Sequence, residues 1–162
     1  MRSYTEYLKS KTEEPLLLQA ARTGDLGTIA REILAGADVD QKNHRGYSPL
    51  MLAAYNDQYD AALLLIEAGA DVNSADKGGN TVVMGAAFKG HTEIMQLLLR
   101  QGARIDSKNF ANQTALDFAR TFGRREIIPL LERHGKTPNV FQRLGHLISF
   151  FVNQISYRLK HS

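Results

Sequence analysis

The 162-residue chain contains no cysteine, which excludes disulfides, thiolate metal sites and cysteine nucleophiles. Its four prolines and thirteen glycines are too few for a linker-type chain. No stretch approaches 18 uninterrupted apolar residues, so no segment reads as a membrane-spanning helix. Met1 to Tyr7 lack the apolar core of a secretory signal. Together with the missing cysteine, this sets the expectation of an intracellular, cytoplasmic location.

Patterns of chemistry are missing as well. The histidines are His44, His91, His134, His146 and His161, and no pair has metal-ligand spacing with a carboxylate close by. Lys77-Gly78-Gly79-Asn80 is a turn without the P-loop pattern, and there is no Gly-x-Ser-x-Gly elbow. The expectation is a protein with no catalytic, metal or cofactor site, and therefore not an enzyme. Acid is absent from the last stretch. Lys136, Arg143, Arg158 and Lys160 stand there against no Asp or Glu, so the excess behind the net charge of +3 lies in residues 136–162, and residues 1–135, with 16 Lys and Arg against 17 Asp and Glu, are near neutral. A nucleic-acid binder carries its basic face on the folded body; no nucleic-acid partner is expected.

What is present is ordinary globular composition, 43% hydrophobic and 23% charged, which excludes full disorder. It is also periodic. Gly36-Ala37-Asp38 returns as Gly69-Ala70-Asp71, then as Gly102-Ala103-Arg104 and as Gly135, each time 33 residues on. Ala20-Ala21, Ala53-Ala54, Ala86-Ala87 and Ala119 keep the same step, as do Ile33, Ile66 and Leu99. Each period reads as two short helices. Ser48 is a good N-cap with Pro49 in the first turn. Leu50, Ala53 and Ala54 share one face, Asn56-Asp57 breaks the chain, and Ala61 to Ile66 form a second helix ending at Gly69. A lone unit of this kind cannot bury its apolar face, so neighbours must stack.

The run from Asn43 to Ala54, with Gly90-His91-Thr92-Glu93-Ile94 and Leu97-Leu98-Leu99, resembles the ankyrin repeat. The resemblance implies an all-α solenoid of β-turns and antiparallel helix pairs. Four repeats are expected, at residues 15–43, 44–76, 77–109 and 110–135. Several positions depart from the family pattern. Met51, Met84 and Asp117 stand where it has His, so a hydrogen bond of the motif is expected to be missing. Gly85 lies inside a first helix, at a cost of about 1 kcal/mol relative to Ala. Pro129 should delay or kink the last helix. Asn73 is expected to fix its own turn by a hydrogen bond.

Two appended elements are expected. Residues 1–14 read as a capping helix, with a capping box at Ser3-Tyr4-Thr5-Glu6. Residues 136–162 read as a basic amphipathic helix of about five turns, striped by Phe141, Leu144, Ile148, Phe151, Ile155 and Leu159. That stripe either caps the last repeat, which is favoured, or engages a membrane surface or a partner helix. Phe150 and Tyr157 lie on its opposite face and offer a self-association surface.

The resemblance further implies protein binding along a concave face of turn tips and first helices. Carried over by position, that face comprises Arg22, Lys42, His44, Arg45, Tyr47, Tyr55, Asn56, Lys77, Asn80, Phe88, Lys89, Lys108, Phe110, Gln113 and Phe122. The set is aromatic and basic and contains no acid. Aromatic residues and Arg are typical anchors of protein interfaces. The expected partner is another protein with an acidic surface and apolar pockets, bound by an adaptor or scaffold. An inhibitor using the same face and a membrane-peripheral adaptor recruited by the tail are the alternatives.

Overall fold

The computed structural model describes residues 14–136. The expected C-terminal helix, with Phe150 and Tyr157, and the N-terminal cap before Glu14 lie outside them.

The helix starts follow the period. Ser48, Thr81 and Thr114 each place a side-chain oxygen over the first turn of a helix, accepting from the N–H three residues on. Eight helices result among the described residues: α1 (Leu16–Thr23), α2 (Leu26–Leu34), α3 (Pro49–Tyr55), α4 (Tyr59–Glu67), α5 (Val82–Lys89), α6 (Thr92–Arg100), α7 (Ala115–Thr121) and α8 (Ile127–Lys136). They pair in sequence and stack in two rows. α1, α3, α5 and α7 form one row; α2, α4, α6 and α8 form the other. The paired alanines, Ala53-Ala54 and Ala86-Ala87 among them, are buried where the first helices meet. Leu17, Ile29, Leu65, Ile94, Leu98 and Leu131 fill the space between the rows in one continuous core. No strand forms among the described residues; Ala75 and Thr81 make one isolated bridge. This is an all-α repeat solenoid.

The turns between repeats are organised by a second column at the same step. Asn43 Oδ1 accepts from the N–H groups of Arg45 and Tyr47, both at 3.0 Å. Asp76 does the same for Gly78 and Asn80, and Asn109 for Ala111 and Gln113. Adjacent turns are then joined through the backbone, Lys77 N–H to Arg45 O and Phe110 N–H to Gly78 O. This close stacking explains Gly46, which has φ +84° and would bring a Cβ within 2.7 Å of Lys77 N. Two steps along the same column, Asn112 takes the left-handed backbone instead, with φ 59°. No further turn lies against it among the described residues.

Two expectations change, and the one for Pro129 is met. Asp117 does not leave the motif short of a hydrogen bond. Its carboxylate accepts from Thr114 N–H at 2.8 Å and from the Thr114 hydroxyl at 2.7 Å, closing a reciprocal cap. Asn73 accepts at 2.8 Å from Arg104 N–H in the next repeat, just as Asp40 accepts from Asp71 N–H, so the column staples repeats together. Pro129 does shift its helix. α2, α4 and α6 begin 33 residues apart, which would start α8 at Arg125, but it begins at Ile127, with the proline in its first turn.

Candidate protein-binding face

The first helices and turn tips share one side of the stack, and they bring much of the aromatic set together. Tyr55 at the end of α3 stacks on Phe88 at the end of α5, ring centroids 6.0 Å apart and planes 9° from parallel. Phe122 meets Phe88 edge-on at 4.5 Å. Phe118 completes the cluster, 6.5 Å from Phe88 and 6.2 Å from Phe122. Tyr55 remains 40% exposed and Phe122 45%, so the ridge is partly open to water. Lys89 places its ammonium 4.9 Å from the Tyr55 ring centroid. Phe110 stands apart at a turn tip, 85% exposed, with its ring against Gly79.

Beside the ridge runs a groove of about 340 Å³. Arg45 and Tyr47 line it from one turn, and Asp76 and Asn80 from the next. Met51, Leu52, Met84, Gly85 and Phe118 contribute from the helices. Met51, Leu52 and Met84 are buried, so the wall is largely apolar.

The remaining residues of the set divide by what they already hold. Arg22 is clamped by Glu14, at 2.8 and 2.7 Å. Glu14 also accepts from Asn43 at 2.9 Å. Partial burial pushes the Glu14 carboxyl up, but the bonds from Asn43 and Arg22 outweigh it and hold the group below its ordinary range. Lys42 donates to Ala75 O at 2.7 Å, and Asn56 to Leu52 O at 2.8 Å. Asn80 and Gln113 are half-buried and tie Asn109 and the turns around it. These five belong to the scaffold as much as to the surface. His44, Arg45, Lys77, Lys89 and Lys108 are exposed, as are Tyr55, Phe110 and Phe122, while Phe88 and Phe118 are half-buried.

Sequence reasoning missed Phe118, Glu14 and Asp76. Phe118 was detectable as the fourth member of the column Gln19, Leu52, Gly85 and Phe118. Glu14 and Asp76 bring two carboxylates to a face read as acid-free. Asp76 is engaged with its own turn, however, and Glu14 with Arg22 and Asn43. His91 and Arg124 brace the face from behind. They occupy the same place in successive repeats, and each reaches back to a carbonyl of the previous first helix: Tyr55 O at 3.1 Å and Phe88 O at 2.8 Å.

Among the described residues, no cluster of three His, Asp or Glu is placed to hold a metal ion. No helix among them is long and apolar enough to cross a membrane. No curated protein matches the chain. The family model for ankyrin repeats in three copies matches twice in tandem, over residues 5–76 and 75–142. Ankyrin repeats bind other proteins and are typically not enzymes. With helix pairs, stacked turns and that match in agreement, the chain belongs to the ankyrin-repeat family.

Proposed function

We propose that this protein is an adaptor that binds another protein through the turn-tip face. The observation that carries this reading is the half-exposed ridge of Tyr55, Phe88 and Phe122 beside exposed cations. Aromatic rings held rigid by one another lose little freedom on binding, which suits them as anchors. Arg45, Lys77 and Lys89 around them favour a partner whose surface is acidic and whose pockets accept the rings.

The test is crosslinking of the full chain in its native extract, then affinity measurements on the recovered partner. Tyr55→Ala and Phe122→Ala should each weaken binding by more than about 1 kcal/mol, with folding retained. Arg45→Glu should slow association and flatten its salt dependence. Wild-type affinity in all three variants rejects this face. A recovered enzyme that loses activity when bound would make the contact inhibitory. Binding lost only on removal of residues 137–162 would move the site to the tail.

A further inference from the structure

One position per repeat stands in the middle of a first helix, and the last three members of this column line the groove. The column runs Gln19, Leu52, Gly85 and Phe118. Leu52 and Phe118 fill their places in the groove wall, and Gly85 leaves its place empty. Nothing in the fold asks for glycine there. Gly85 is not among the residues with positive φ, and its N–H makes the ordinary helical bond to Thr81 O at 3.1 Å. A Cβ added to it would meet only Tyr55 Cδ2, at 3.8 Å, which is normal van der Waals contact. A glycine inside a helix lowers stability, and here no backbone or packing need offsets that loss.

The gap has a distinct electrostatic setting. The Arg45 guanidinium, which lines the same groove, makes no ion pair or hydrogen bond among the described residues. Lys77 sits on the adjoining turn, linked to it through Arg45 O. Arg22 is neutralised by Glu14, and Asp76 Oδ1 is occupied by the N–H groups of its own turn. An apolar gap in a groove that this guanidinium also lines complements an apolar side chain that has a carboxylate near it in the same strand.

We propose that the Gly85 gap is a subsite for one Leu-, Ile- or Met-sized side chain of an extended acidic segment in the partner, with Arg45 taking that segment's carboxylate. The inference rests on the turn-tip face being the binding surface and names what enters it. Residues 136–162 of the chain itself are apolar but carry four basic residues and no acid, so they do not match the charge.

Random twelve-residue peptides displayed on phage would be selected on the full chain. A fluorescein-labelled copy of the enriched sequence would then be titrated by anisotropy. The enriched peptides should carry Leu, Ile or Met within about four residues of Asp or Glu. Gly85→Ala should weaken binding about tenfold while raising the melting temperature by about 2–4 °C. Gly85→Met should abolish binding, Arg45→Glu should weaken it at least tenfold, and Gln96→Ala on α6 should leave it unchanged. No enrichment, or enrichment of basic or charge-free peptides, overturns the proposal. So does a fall in melting temperature for Gly85→Ala, which would make the glycine structural. Peptides that tolerate Gly85→Ala and Arg45→Glu but are lost with Phe122→Ala overturn the subsite and leave the broader reading standing. Peptides indifferent to all these variants overturn both.

Discussion

α6 and α8 occupy the same place in successive repeats and are buried to different extents. α6 lies between α4 and α8 and buries Ile94, Met95, Leu97, Leu98 and Leu99. α8 packs on α6 and α7; Ile127 and Leu131 are its buried residues, while Ile128 and Leu130 are partly covered. The opposite end behaves alike, for α2 fully buries Ile29 alone. Both α6 and α8 are amphipathic in sequence, so pattern does not separate them. In a stack, a helix face is buried by a neighbour, and among the described residues α2 and α8 each have a neighbour in their row on one side only.

The largest effect should come from truncating one column at both places. Leu98 and Leu131 are 33 residues apart and both almost fully buried. Leu98→Ala should cost about 3–5 kcal/mol, because α4 and α8 flank its helix and the cavity cannot collapse. Leu131→Ala should cost about 2 kcal/mol, because the end helix can settle into the space. Urea melts of the two variants read the difference. Equal costs would break the comparison and mean that the described end is packed as rigidly as the centre.

Caps sharpen the contrast at smaller scale. Thr114→Ala should cost about 1 kcal/mol, and Ser48→Ala up to about 2 kcal/mol because its hydroxyl is buried with the helix end. The caps also differ in chemistry. In the middle, Ser48 and Thr81 do not titrate. Near the ends, Thr114 N–H and then its hydroxyl donate to Asp117, and the Thr28 hydroxyl and then its N–H donate to Asp25. Both carboxyls are thereby held below their ordinary range. The unfolded chain binds these protons more readily than the folded one. Their stabilisation is therefore complete above the unfolded value of about 3.9 and is lost as pH falls through the lower folded values. Thermal melts from pH 7 to pH 2 should show an acid limb below about pH 4. Asp117→Asn should flatten it; an unchanged limb would place the titration elsewhere.

The same contrast shows what the sequence could disclose. The step of 33 places the starts of α2, α4 and α6 at Leu26, Tyr59 and Thr92 because one local rule, a left-handed turn residue at Gly24, Asp57 and Gly90, repeats before each helix. It falls short only at α8, where Pro129 stands in the first turn and the start moves on to Ile127. On the turn-tip face, Tyr55 and Phe88 were legible as one column, and their stacking follows from repeat-on-repeat alignment. The Glu14 clamp on Arg22 was not legible. It joins a residue preceding α1 to the last turn of that helix, and no periodic signal marks such a contact. Phe118 was hidden for another reason. Its column holds Gln, Leu, Gly and Phe, which share no chemistry, so only position relates them.

The smallest effect concerns the polar tie between the last two helices. Arg120 on α7 and Glu132 on α8 pair at 2.9 Å, but their side chains are 57% and 44% exposed. At that exposure, water and salt screen the attraction, and ordering two long side chains offsets much of the rest. Arg120→Ala should therefore change stability by less than about 0.5 kcal/mol. The difference from wild type should shrink further in 1 M salt, where the screening length is about 3 Å. Urea melts at low and high salt measure both. A loss above about 1 kcal/mol that salt does not diminish would mean that α8 is anchored by charge rather than by Ile127 and Leu131, and the contrast with the apolar packing of α6 would become one of kind instead of degree.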